Sequence, residues 1–264
     1  MSSEQGYVGV QVPPGAPNTM QRPDYNDKTY DYIKYWEGRD YENASEITAL
    51  AKMLPNKGKR ILDAGGGFGR LIPVYKGRFE EIVIFDQSNK ILSQARNRAK
   101  SLGVAIKTQE GNLYKLSQYG LDKFDCVVMV RVAHHLDDLG KAFHEISELL
   151  LPGGVFILEF ANKMHIKSAV KNVAKFNFGY FKTDSISRAS KDVTFLNFHP
   201  DFVEKSLKSN SFRVVEKLSV SNFRNDAVKK TLSKESLLIL ENLLQKPFGF
   251  INFGPSIFVK SVKV

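Results

Sequence analysis

The chain has 264 residues, 42% hydrophobic and 11% aromatic, enough for one large α/β domain with a sizeable core and no need of a second. It lacks a run of about eighteen apolar residues to span a bilayer, and its start lacks the charged and apolar regions of a secretory signal. A lone cysteine, Cys126, excludes internal disulfides and Cys-rich metal sites, so a cytoplasmic location is expected.

The formal charge of +10 is unevenly placed: residues 1–159 hold 20 Lys and Arg against 20 Asp and Glu, and residues 160–264 hold 18 against 8.

Residues 1–22, with Pro13, Pro14 and Pro17, are expected to be a disordered tail ahead of a single domain over 23–264. Two helices, 28–37 and 42–54, are expected to follow, joined through Gly38. Next comes RILDAGGGFGR, an apolar strand that ends in Asp63 and runs into Gly65, Gly66, Gly67 and Gly69. A run of this kind turns sharply from strand to helix and keeps side chains away from a bound nucleoside cofactor. A phosphate-binding P-loop would need Lys-Ser or Lys-Thr after the last glycine, where Arg70 and Leu71 stand. The dinucleotide fingerprint beginning at Gly65 would need its third glycine at position 70, which weakens that reading too.

Further strands and helices alternate. Ile82–Asp86 is a β-branched and aromatic run ending in an acid, whose carboxylate at a strand tip can accept two ribose hydroxyls. A helix is expected over Ser88–Leu102 with Ser88 as its N-cap. Gln109-Glu110-Gly111-Asn112-Leu113 closes a third strand, and Phe124–Val130 forms a fourth that leads into Arg131-Val132-Ala133-His134-His135-Leu136. A helix over Asp137–Leu150, a Pro152-Gly153-Gly154 turn and a fifth strand over Val155–Phe160 complete the alternation, which implies a parallel sheet with helices on both faces. Cys126 lies among Val127, Val128 and Met129 and reads as a small core residue.

In the basic half, Lys163, Lys167, Lys171 and Lys175 recur every four residues along one face of a helix whose other face carries Ile166, Val170 and Val173. Phe176, Phe178, Tyr180 and Phe181 follow. Two readings stand: a solvated lysine face on a docked helix, or a lid over 160–200 that meets an apolar or anionic acceptor, with peripheral membrane contact. Beyond it, a helix is expected over 200–208, a strand over 212–221, one long helix over 226–245 and a last strand over 256–264.

The series Asp63-x-Gly65-x-Gly67-x-Gly69, the acid at Asp86, and the helix, Pro-Gly-Gly turn and strand before residue 160 together resemble the class I S-adenosylmethionine-dependent methyltransferases. The resemblance covers residues 58–160 and is nearest to the "type 11" small-molecule group. It implies a doubly wound, seven-stranded, mostly parallel sheet of order 3-2-1-4-5-7-6 with the last strand antiparallel. S-adenosylmethionine is then the cofactor, and Asp63, Gly65, Gly66, Gly67 and Gly69 cradle it. Asp86 and Gln87 sit at the ribose; Asn112 and Leu113 sit at the adenine, with Asn112 where the family often has an acid. Arg131 belongs to the same wall. Arg39 pairs with the methionine carboxylate, and a ring from Tyr30, Trp36 or Tyr41 faces the sulfonium.

The resemblance also sets the chemistry. The sulfonium activates the methyl, so the protein has to align a nucleophile, exclude water and, for oxygen or nitrogen acceptors, remove a proton. His134 and His135 are the candidate bases, with packing or capping as the alternative role, and Glu159 is a weaker candidate. His165 and His199 have no companions at metal spacing, and no metal is expected. The Asn-Pro-Pro-aromatic tetrad and the Pro-Cys nucleophile of two nucleic-acid classes are both absent after the fourth strand. A small-molecule or lipid-like acceptor is the leading expectation. An RNA acceptor held by the basic half, or a non-catalytic cofactor-binding scaffold, are the alternatives.

Overall fold

A computed structural model of the chain describes residues 25–27, 31–183, 186–190 and 193–264. The expected tail, the start of the first helix and Tyr30 lie outside the described residues.

Where two helices were expected before the first strand, the first is a single 3-10 turn, Ile33–Trp36. Ile, Tyr and Trp are indifferent helix formers, and Gly38 at φ +69 stops the turn. The second is α1, Asp40–Met53. The core then alternates as β1 (Gly58–Ala64), α2 (Ile72–Tyr75), β2 (Phe79–Asp86), α3 (Asn89–Ser101), β3 (Lys107–Glu110), β4 (Phe124–Met129), α4 (Leu139–Leu149) and β5 (Leu150–Ala161). Ser88 caps α3, its hydroxyl accepting from the Ile91 N–H at 3.3 Å. The Pro-Gly-Gly segment lies inside β5 as an irregularity: pairing with β4 jumps from Phe124–Leu150 to Cys126–Val155, and Gly153 takes φ +75.

The C-terminal part comprises α5 (Ile166–Ala174), a 3-10 turn at Phe178–Phe181, β6 (Ile186–Ser190), β7 (Val193–Asn197), α6 (Pro200–Ser209), β8 (Phe212–Val220), α7 (Asp226–Thr231), α8 (Lys234–Phe250) and β9 (Ser256–Lys263). Two features depart from expectation. The β6–β7 hairpin stands where only a lid was expected. The long helix over 226–245 is broken in two, because the Ser233 hydroxyl accepts from the Ser236 N–H and so starts a new helix.

The main sheet runs β3-β2-β1-β4-β5-β9-β8. Counted within that sheet, this is the expected 3-2-1-4-5-7-6, with β9 antiparallel to both β5 and β8. Alternation along each strand feeds two cores. In β4, Cys126 and Val128 face α1, α2 and α3, while Val127 and Met129 face α4 and α6. Cys126 is fully buried, and burial pushes its thiol well above the usual range. Tyr41 was expected near the sulfonium. It is buried instead in the α1–α8 seam, its hydroxyl donating to Glu241 at 2.6 Å.

Candidate active site

The glycine turn begins where β1 ends, and its glycines answer different needs. A Cβ at Gly65 would lie 2.3 Å from the Val132 side chain. At Gly69 it would meet Ile72 at 2.4 Å, and at Gly66 the Asp63 carboxyl carbon at 2.7 Å. Only at Gly67, at φ +55, would a Cβ fit without a clash, in ordinary contact with Ile91 and Tyr32 at 3.8 Å. Gly66 and Gly69 therefore serve packing and do not face the crevice, which corrects their expected part in the cradle. Asp63 is likewise beneath the turn, 1% exposed beside Tyr75, where burial pushes its carboxyl up to about 7. It supports the turn from below.

Asp86, at the tip of β2, holds the upper side. One carboxylate oxygen accepts from the Gly67 N–H at 3.1 Å and the other from the Ser88 N–H at 3.0 Å. Each oxygen keeps acceptor capacity for a ligand hydroxyl. Burial raises this carboxyl above its ordinary range, although the same backbone donors oppose the shift. Asn112, past β3, has its side-chain oxygen on the Tyr114 N–H at 2.9 Å, and its own N–H donates to the Tyr119 hydroxyl at 2.8 Å. The amide is thus fixed in place at the rim.

These groups enclose a crevice of about 870 Å³, lined by Gly65, Gly67, Asp86, Gln87, Asn112, Leu113, Arg131 and His135 among the expected residues. Tyr25, Tyr32, Ile91, Gly111, Tyr114, Val130, Val132 and Leu136 complete the wall. Tyr25 and Tyr32 come from the N-terminal segment, and nothing local in the sequence indicates that they fold back over the sheet. Burial pushes the Tyr32 hydroxyl up to about 12, so it is neutral.

Arg39 is elsewhere: its guanidinium stacks 4.3 Å from the Tyr35 ring, and it lines a separate polar hollow with Glu37, Glu42 and Lys229. The cationic end of the crevice is built from Arg131 instead. That residue takes φ +64, with its N–H held by Glu159 at 2.8 Å. Its side chain binds Glu46 through Nε at 2.8 Å and Nη2 at 2.7 Å, while Arg70 binds the other Glu46 oxygen at 2.7 Å. Trp36 lies flat on Arg70 at 3.9 Å and 5.4 Å from Arg131. Sequence reading missed Glu46 and Arg70; i, i+4 spacing on α1 gave no sign that a buried carboxylate would bridge two arginines from different loops.

The two histidines differ. His135 lines the crevice, and its Nε2 is 3.0 Å from the Tyr25 hydroxyl. His134 is off the crevice wall, and burial followed by the nearby Arg131 charge pushes it down to about 3. Phe195, on the unexpected hairpin, packs against both rings, with centroids at 5.2 and 5.3 Å. Glu159 accepts through one oxygen from the Arg131 N–H at 2.8 Å and through the other from the Ser256 hydroxyl at 2.7 Å. His199 caps α6 and His165 meets the Ser168 hydroxyl at 2.7 Å.

A second cavity, about 1310 Å³, opens on the far side of Arg131. Glu159, His165, Lys167, Ser221 and Arg224 contribute to its wall. Three cationic side chains, Arg131, Lys167 and Arg224, line it against one carboxylate, Glu159, so its lining carries a net positive charge. Arg131 is the wall common to both cavities.

Residues 62–158 match the family model described as a methyltransferase domain. The sheet order and the glycine turn around that match are those of the class I S-adenosylmethionine-dependent methyltransferase fold. Among curated proteins, the chain is 30% identical over 107 residues to the "Ubiquinone biosynthesis O-methyltransferase" of Alkalilimnicola ehrlichii, a stretch that is 40% of this chain and 43% of that one. The matched part spans 43% of the length of this and two further relatives of the same name. Among solved structures, an S-adenosylmethionine-dependent methyltransferase from Clostridium acetobutylicum aligns with TM-score 0.55 and 16% identity, over 88% of this chain and 96% of that one. The magnesium protoporphyrin IX methyltransferase from Synechocystis, which has S-adenosylhomocysteine bound, aligns with TM-score 0.56 and 16% identity, over 91% of each chain. At those identities the structures share the fold.

The crevice fits the cofactor of that class. Gly67, the one glycine of the turn whose face is not filled by a close neighbour, and Asp86 beside it with spare acceptor capacity both line the crevice and suit an adenosyl group.

Proposed function

We propose that this protein transfers a methyl group from S-adenosylmethionine to a small, lipid-like acceptor lodged in the second cavity, across Arg131 from the cofactor crevice. The observation that carries this reading is the shared wall: two cavities of about 870 and 1310 Å³ meet at one residue at the end of β4. Open α/β sheets bind ligands at the carboxyl ends of their strands, and methyl displacement requires donor and acceptor on opposite sides of the moving carbon.

The cofactor supplies an electrophilic methyl. The protein's own residues bind, orient and handle a proton. Asp86 would hold the ribose, with Gln87 beside it, and Asn112 and Leu113 would border the adenine. The Glu46–Arg70–Arg131 bridge would fix the opposite end and keep Arg131 still. Of the two histidines, His135 is the candidate base for an acceptor whose reacting atom reaches past Arg131 into the crevice that His135 lines with Tyr25 on its Nε2, whereas a His134 that protonates only near 3 is a weak base at neutral pH. The curated relatives' names support a small acceptor, and their acceptor need not be this chain's.

The test uses a labelled methyl donor with metabolite extract, lipid extract and total RNA offered separately. Label in a metabolite or lipid product, reduced at least tenfold by His135→Ala with S-adenosylhomocysteine affinity unchanged, is the expected result. Label in RNA alone would refute the acceptor class. No label and no cofactor binding by calorimetry would refute the activity.

A further inference from the structure

Helix α5 is mounted the wrong way round for a helix of a globular core. At about 100° per residue, Ile166, Val170 and Val173 form one stripe, and Lys167 and Lys171 lie next to it. An amphipathic surface helix ordinarily turns its apolar stripe inward. Here the inward side is polar. Ser168 is the buried residue of the helix, bonded to His165, and Asn172 donates to the Ser168 carbonyl at 2.8 Å. The apolar stripe faces out: Val170 is 59% exposed and Val173 52%.

The chain that follows extends the same surface. Phe176 is 81% exposed and Phe178 65%, their rings in edge contact at 6.5 Å. Phe176 takes φ +53, an uncommon conformation for an aromatic residue. Lys171 and Lys175 are both exposed and have no ion-pair partner among the described residues. Lys163, the first of the lysine series, does not join them. It is 2% exposed, turned inward with its ammonium on the Lys182 carbonyl at 2.6 Å, where it secures the segment to the fold. The expected solvated lysine face is therefore only partly realised, and the docked apolar face is not realised at all.

We propose that α5 and the Phe176–Phe178 segment form a peripheral docking site for a membrane surface rich in anionic lipid. A second copy or a folded protein partner would bury the aromatic patch equally well, but neither requires a row of unneutralised lysines beside it. An anionic headgroup layer supplies the complementary charge, and the acyl boundary takes the rings and valines. Long lysine stems suit this position, because they lay their methylenes along apolar surface and present the ammonium at headgroup level. The site is next to the second cavity, since Ile166 and Lys167 belong to that cavity's wall. A docked enzyme would thus face a membrane-dissolved molecule.

The test is sedimentation of the full chain with phosphatidylcholine vesicles, with and without phosphatidylglycerol, across a salt series. Binding is expected only with the anionic lipid, and added salt should weaken it. Phe176→Ser with Phe178→Ser should lower partitioning at least tenfold. Lys171→Gln and Lys175→Gln should each lower it about fivefold, the worth of one lysine near an anionic surface. Circular dichroism and S-adenosylhomocysteine calorimetry should show all three variants folded and cofactor-competent, since these side chains touch neither cavity. No sedimentation of the wild-type chain, equal sedimentation with neutral vesicles, or indifference to the Phe and Lys changes would overturn the proposal. So would a concentration-dependent dimer in analytical ultracentrifugation that Phe176→Ser dissolves.

Discussion

Replacing Asp86 by Asn changes the site by one atom and tests its central claim. In the wild type both carboxylate oxygens accept from backbone N–H groups, of Gly67 at 3.1 Å and Ser88 at 3.0 Å. The amide has one acceptor oxygen, so its NH₂ must face one of those donors. Leaving such a buried donor unmet costs about 1–3 kcal/mol, and losing a charged acceptor for a ribose hydroxyl about 1.5–3 kcal/mol. The second figure corresponds to a fall in cofactor affinity of about ten- to 150-fold. Calorimetric titration of S-adenosylhomocysteine, with urea unfolding alongside, separates the two effects. The pH dependence has a defined sign: burial raises the Asp86 carboxyl, so acidification should weaken binding while the pH is still above the ordinary carboxylate range, and the Asn variant should lack that dependence. A folded Asp86→Asn protein with unchanged affinity would place the adenosine elsewhere and refute the reasoning.

Other outcomes follow from the same geometry. Gly67→Val combines left-handed backbone strain with a side chain in the one open position of the turn, and should abolish cofactor binding, whereas Gly77→Ala, at φ +75 with open space but remote from the crevice, should cost only stability, about 1–2 kcal/mol; equal binding loss in both would show strain alone at work. Asp63 has a folded value of about 7 against 3.8, so the stability that its neutral form contributes is present below pH 3.8 and lost as pH rises through 7. Asp63→Asn should flatten that slope in denaturant titrations and gain on the wild type at alkaline pH, and an unaltered slope would count against a buried Asp63. Glu46→Gln leaves two arginines, with side chains only 10% and 17% exposed, sharing a neutral partner. It should cost about 3–5 kcal/mol in urea unfolding, and a loss below about 1 kcal/mol would mean that the bridge is dispensable.

The linear pattern was sufficient for whatever depends on neighbours along the chain. Strand–helix alternation, the sheet class, the N-cap at Ser88 and the acid at the tip of β2 follow from periodicity, turn chemistry and capping, which act over a few residues. Asp63 shows the boundary: its motif was legible, but whether its carboxyl points up into the crevice or down into the core depends on how Gly66 packs across it. The roles of Arg39 and Tyr41 were misplaced for a related reason. Both lie near the right part of the fold, yet stacking on Tyr35 and a hydrogen bond donated to Glu241 of α8, 200 residues on, decide where they point. Glu46 between Arg70 and Arg131, Tyr25 over His135, Phe195 against the histidine pair and the outward apolar stripe of α5 are likewise pairings between distant segments. Closing such loops is a matter of summed packing and desolvation over the whole domain, and no short stretch of chain carries that sum.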